Sequence, residues 1–149
     1  GYTVVLSSFC KIENDEKTIN KILDRIDSNV ERSVKIVNYN GENTDDVVSA
    51  MAESEFVIAS RFHGTVLGFA LDKPVLPIVY SDKTINILKD LSFKGSYIDI
   101  RKINSEPYVE LDNNYDFQRI ADVQQIRKDS EKHFEKLDKL LLEYLFRYD

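Results

Sequence analysis

The chain has 149 residues, 42% of them hydrophobic and 31% charged, with a formal net charge of −6. That length suits one two-sided core, and the acidic balance argues against the basic face that nucleic-acid binding requires. The single cysteine, Cys10, excludes an internal disulfide framework and fits a reducing compartment. No signal peptide is expected. No apolar run is long enough to span a bilayer, because Asp72, Lys73 and Pro74 break the oily piece over 62–80. The first residue is Gly1 and not a methionine, and the expectation is a larger protein that has been trimmed.

Short β-branched runs alternate with helix-like stretches. Residues 2–9 (YTVVLSSF) read as a buried strand. Over 14–28, Ile19, Ile22, Leu23 and Ile26 share a helical stripe behind a cap at Asn14 or Asp15. Strand 33–39 and a polar loop lead to a helix starting near Thr44, with Asp45 and Asp46 in the first turn, where the dipole favours acids. Strand 55–60, helix 64–72, strand 74–79, helix 82–91 and a last strand near 96–100 follow. This alternation predicts an α/β fold: a doubly wound, Rossmann-like parallel sheet with helices on both faces.

The expected plan is a single domain over 1–149, with an α/β core over 1–100. After a loop with Pro107 and Asn113-Asn114, one long C-terminal helix is expected over 117–148. Its apolar stretch 140–146 (LLLEYLF) is expected to pack onto its own domain, with docking of a partner domain as the alternative.

In open parallel sheets, ligands collect at the carboxyl ends of the strands. Ser60, Arg61, Phe62, His63, Gly64 and Thr65 occupy such a crossing, before a helix whose free N–H groups favour an anion. Arg61 can hold a carboxylate or phosphate through two parallel hydrogen bonds. His63 can donate to an oxyanion or move a proton near neutral pH. Gly64 removes a side chain where a ligand can approach the backbone. Taken alone, Arg-x-His reads more simply as a solvated helix start. One crossing later, however, Tyr80-Ser81-Asp82-Lys83 puts a lysine in a first helical turn. The dipole disfavours that by roughly 0.3–1 kcal/mol unless an anion compensates. Two consecutive cationic helix starts favour an anion site.

Other residues carry less. His133 sits in a charged amphipathic stretch, and Cys10 has no histidine near it in sequence and reads as an inert thiol. Two distant histidines and one cysteine offer no zinc spacing, so no metal is expected. Neither G-x-G-x-x-G nor a P-loop occurs. A phosphorelay receiver needs acids ending its first and third strands, where this chain has Ser7-Ser8 and Ser60-Arg61.

The run FVIASRFHGTVLGFALDKPVLPIVYSDKTINIL resembles the C-terminal half of the polysaccharide pyruvyl transferase family. The matching pieces are Ser60-Arg61-Phe62-His63-Gly64, Asp72-Lys73-Pro74 and Tyr80-Ser81-Asp82-Lys83, with Phe62 where the family usually has leucine. The likeness covers about 45–91, is compatible with the rest of the α/β region and does not inform the tail. It implies a two-domain, GT-B-like enzyme with its active site between Rossmann-like halves, this chain being the C-terminal one and the N-terminal one missing. It implies transfer of pyruvate from phosphoenolpyruvate to a sugar of a cell-surface or extracellular polysaccharide, commonly as a ketal. On that likeness Arg61 and His63 match the donor-binding and catalytic pair, and Lys83 a nearby cationic position. Ser60, Gly64, Thr65 and Tyr80 belong to the same substrate-binding set. No cofactor is implied beyond phosphoenolpyruvate as donor substrate, and the acceptor is a glycan or lipid-linked sugar. The setting implied is cytoplasmic, with the inner face of the cell membrane as one version, and the chain alone is expected to be inactive. Two alternatives stand beside this: a nucleotide-sugar-dependent glycosyltransferase domain of the same architecture, and a non-catalytic anion- or glycan-binding module.

Overall fold

Strand and helix alternate as the hydrophobic pattern requires. The computed structural model describes residues 2–27, 29, 33–103 and 115–145. Its strands are β1 (Val4–Ser8), β2 (Val34–Asn38), β3 (Val57–Ala59), β4 (Val75–Val79) and β5 (Ile98–Asp99). The main helices are α1 (Asp15–Leu23), α2 (Thr44–Glu53), α3 (Phe62–Ala70), α4 (Asp82–Asp90), α5 (Val123–Glu131) and α6 (Glu135–Leu145). A 3₁₀ turn, Ile100–Lys102, follows β5.

All strand pairs are parallel, as expected of a Rossmann-like α/β fold. The ladders form two groups, β1–β2 and β3–β4–β5. Contacts join the groups at both ends of β1. Tyr2 meets Phe56 edge to face at 5.4 Å, while Asp15, after the β1–α1 loop, bonds Arg61 beyond β3.

The core is built on β4, which reads VLPIV and is buried on both faces, as a central parallel strand should be. Val75, Val79, Ala59, Phe69, Leu88, Ile120 and Val123 form one buried cluster. Each large apolar side chain sealed there contributes about 1.5–3 kcal/mol. α3 lies close on this strand because Gly68 faces it. A Cβ at Gly68 would stand 2.9 Å from Val75 Cγ2.

The structure corrects the expected helix over 14–28, which ends at Leu23 and leaves Ile26 outside it, and three further expectations. β1 is not a buried strand: Val4 and Val5 are exposed and Ser8 is its buried residue. Among the described residues its ladder bonds run only to β2. α3 runs 62–70 and not 64–72, because Arg61 is extended (φ −95°, ψ 139°) and the helix starts at once behind it. Asp72, at φ 56°, closes it, and Lys73 N–H donates to Gly68 O at 3.0 Å.

The last correction concerns the tail, where the long helix is divided into α5 and α6. Its approach is anchored: Val75 N–H donates to Gln118 O at 2.9 Å, and Ile120 and Val123 enter the core. The apolar residues of α6 do not follow. Leu137, Leu140, Leu141, Leu142 and Tyr144 are exposed rather than packed on the body. The expected loop at Pro107 and Asn113-Asn114, and the residues 146–148 of the expected helix, lie outside the described residues. Among the described residues no helix is long and apolar enough to cross a membrane.

Candidate functional site

Parallel strands bring the starts of α3 and α4 and the turn after β5 to one edge of the β3–β4–β5 ladder. The β1–α1 loop reaches the same region through Arg61. Asp15 opens α1, and one of its carboxylate oxygens, Oδ2, accepts the Phe9 and Cys10 N–H groups at 3.0 and 2.9 Å. Asn14, expected as a cap, adopts φ 60° and makes no side-chain capping bond. Asp15 therefore organises the loop, as an acid in a first turn should.

Arg61 is not the free cation of the sequence reading. Its Nε donates to Asp15 Oδ1 at 2.9 Å, and Nη2 bonds the same oxygen. Nη2 also reaches Glu13 O at 3.3 Å, while Nη1 pairs with Glu13 Oε2. The pairing follows from partial burial, since a half-desolvated guanidinium needs compensating charge. Ion partners 46 and 48 residues upstream left no local signal in the sequence.

His63 and Lys83 behave differently. Both are exposed, and among the described residues neither forms an ion pair. They converge on Phe62: the Lys83 ammonium stands 4.0 Å from the ring centroid. The His63 ring meets Phe62 edge to face with centroids 5.6 Å apart. Phe62 thus holds together an ammonium and an imidazole that belong to different helix starts. Sequence reading treated it as an apolar exchange for leucine; its spacing beside His63 was the signal available.

The remaining predicted site residues divide by exposure. Ser60 and Tyr80 are exposed at the same edge. Gly64 and Thr65 turn into the core: a Cβ on Gly64 would meet Ala59, Phe9 and Arg61 side chains at ordinary distances of 3.6–3.9 Å. The Thr65 hydroxyl donates to Arg61 O at 3.2 Å, so it serves the helix's own first turn.

A second arginine, missed in the sequence, sits beyond β5. Arg101 Nε and Nη2 clamp the two oxygens of buried Asp99 at 2.8 and 2.9 Å, and Nη1 holds exposed Asp82 at 2.8 Å. The Arg101 side chain, with its backbone N–H, holds the Asp99 carboxyl well below the usual range, at about 2. Asp99 and Asp82 in turn push Arg101 further up. Asp82 immediately precedes Lys83, so this network fixes the start of α4. Sequence pattern could have flagged Arg101 only through its place one turn past the last strand. Beside it, Tyr97, Ile98, Asp99, Lys102, Ile103 and Tyr115 line an open depression of about 360 Å³.

Chemically, the edge offers an exposed ammonium and an ionisable imidazole at two helix N-termini, beside an arginine paired with two carboxylates. Such an arrangement can hold an anion and donate a proton to it. Comparison with curated proteins and with solved structures finds no match. The sequence model for Polysaccharide pyruvyl transferase matches residues 1–82. That span takes in the β1–α1 loop, Ser60 to Thr65 and Tyr80, and stops one residue before Lys83. Because 82 of 149 residues are matched, and the parallel α/β architecture agrees, the chain belongs to the polysaccharide pyruvyl transferase family.

Proposed function

We propose that the chain is the donor-binding half of a polysaccharide pyruvyltransferase that moves pyruvate from phosphoenolpyruvate to a sugar of a surface or extracellular glycan. The observation that supports this best is the convergence of exposed His63 and Lys83 on Phe62 at two adjoining helix starts. Phosphoenolpyruvate carries a phosphate and a carboxylate, and two adjoining helix N-termini, with the Lys83 ammonium at one of them, suit an anionic donor.

The reaction follows from the donor. A proton adds to the methylene carbon and a sugar hydroxyl oxygen to the neighbouring carbon. This gives an intermediate that still carries phosphate. A second hydroxyl of the acceptor then displaces phosphate and closes the ketal, releasing its proton. Lys83 and Arg61 offset the charge of the donor and of the departing phosphate. His63 supplies the proton or polarises the phosphate. Acceptor-side groups come from an N-terminal half, and the cleft lies between the halves. The reaction needs no cofactor, and its setting is the cytoplasm.

A transfer assay in the protein carrying both halves tests the reading. Phosphoenolpyruvate and the organism's own surface polysaccharide should yield inorganic phosphate and pyruvylated glycan, and the 149-residue chain alone should yield neither. Pyruvylation by the chain alone, or no acceptor-dependent phosphate release by the two-half protein, would overturn it.

A further inference from the structure

Two carboxylates meet one guanidinium at Arg61, and they are held very differently. Asp15 is 12% exposed and Arg61 22%, whereas Glu13 is 56% exposed. The Asp15 carboxylate is fixed from two sides, by Arg61 on Oδ1 and by the Phe9 and Cys10 N–H groups on Oδ2. The Glu13 side chain reaches Arg61 through one oxygen, on Nη1, from a solvated turn. Two negative charges against one positive leave the cluster with one excess negative charge, which repels an incoming anion. Removing Asp15 from Arg61 would break a part-buried arrangement, whereas removing Glu13 needs only a side-chain rotation in water.

From this asymmetry we infer that Glu13 is a built-in competitor for the anionic donor at Arg61. Asp15 is the positioning residue that holds the guanidinium still while the exchange occurs. The inference rests on the donor reading given under Proposed function. Glu13 occupies Nη1, the outward edge of the guanidinium, as a stand-in for the donor's phosphate or carboxylate. When the donor arrives, Glu13 swings into solvent, and Nη1 changes partner without Arg61 leaving Asp15. Donor affinity at this site is therefore set partly by how readily Glu13 lets go. The same division recurs at Arg101, where buried Asp99 takes Nε and Nη2 and exposed Asp82 takes Nη1. At Arg101 the exposed partner opens a helix and is structural; at Arg61 it belongs to a turn.

Calorimetric titration of the 149-residue chain with inorganic phosphate and with phosphoenolpyruvate tests this. Glu13→Gln keeps the shape of the side chain and removes its charge. An exposed ion pair is weak, so Glu13→Gln should tighten both probes by roughly two- to fivefold. Glu13→Asp should restore wild-type affinity in part, and Asp15→Asn should weaken both probes. Equal or weaker binding to Glu13→Gln for both probes overturns the competitor role. If phosphoenolpyruvate binds wild type and Glu13→Gln equally well, the donor reading stands and the competitor role falls. If inorganic phosphate tightens while phosphoenolpyruvate binds neither protein, the competitor role stands and the donor reading falls. No binding of either probe to either protein overturns both. Glu13 is exposed, so its variants keep the fold, and an unchanged amide spectrum outside the loop verifies that.

Discussion

The Lys83 ammonium rests on the face of the Phe62 ring, 4.0 Å from its centroid, so a cation–π contact ties the first turn of α4 to the first turn of α3. The contact gives Lys83 a defined position at a helix end where the dipole disfavours it. It also makes Phe62, and not only its neighbours, part of the site.

A double-mutant cycle measures that contact. Phe62→Leu and Lys83→Met, alone and together, should show a coupling of about 0.5–1 kcal/mol in denaturant unfolding. Additive effects within experimental error would mean that the ring and the ammonium are merely adjacent.

Two glycines of α3 should respond differently to alanine. Gly68→Ala drives a methyl to 2.9 Å from Val75 Cγ2 in the packed core, and should cost about 1–3 kcal/mol of stability. Gly64→Ala meets neighbours only at ordinary contact distances, so it should stay within about 1 kcal/mol of wild type. Thermal or urea unfolding of both variants distinguishes close helix–strand packing at Gly68 from a general intolerance of α3.

Acid should release the Asp99–Arg101 clamp. The Asp99 carboxyl is lowered to about 2 chiefly by its bonds from the Arg101 side chain, against an ordinary value of 3.8. A depressed carboxyl contributes stability that is present above its unfolded-state value and is lost as pH falls through its folded-state value. Between about pH 4 and pH 2 the wild type should therefore lose stability that Asp99→Asn lacks throughout. Parallel unfolding curves for the two proteins across that window would remove the clamp from the stability balance.

His63→Ala, made in the two-half protein proposed above, should lower kcat by about 10²–10⁴-fold if the imidazole moves the proton. A larger change in the KM for phosphoenolpyruvate than in kcat would make His63 a binding group, and wild-type turnover would end its catalytic assignment.

Much of the fold was legible because hydrophobic period and turn residues are local. β4 reads as a buried strand from VLPIV alone, whereas the stripe that placed α1 overran it: the helix ends at Leu23, Ile26 lies beyond it, and of the stripe only Ile19 is buried. The two-residue error at α3 has a local cause: the extended Arg61 is the cap, so the helix starts at Phe62 and not at Gly64. The site was legible in its positions and not in its pairings. Arg61 was found by its place at a strand end, but Asp15 and Glu13 lie 46 and 48 residues away, across two helices and two strands. Tertiary placement alone brings such partners together. The exposed face of α6 was misjudged for the same reason, since apolar content says that a face wants a partner and not whether the fold supplies one.

The most direct test of the central claim uses the two histidines of this chain, His63 at the site and His133 in the turn between α5 and α6. Phosphoenolpyruvate, UDP and GDP are titrated separately into the labelled protein while both imidazole signals are followed. Saturable movement of the His63 signals with phosphoenolpyruvate alone, and a stationary His133, is the expected result. A His63 signal that ignores phosphoenolpyruvate, or that moves with UDP or GDP instead, would contradict it.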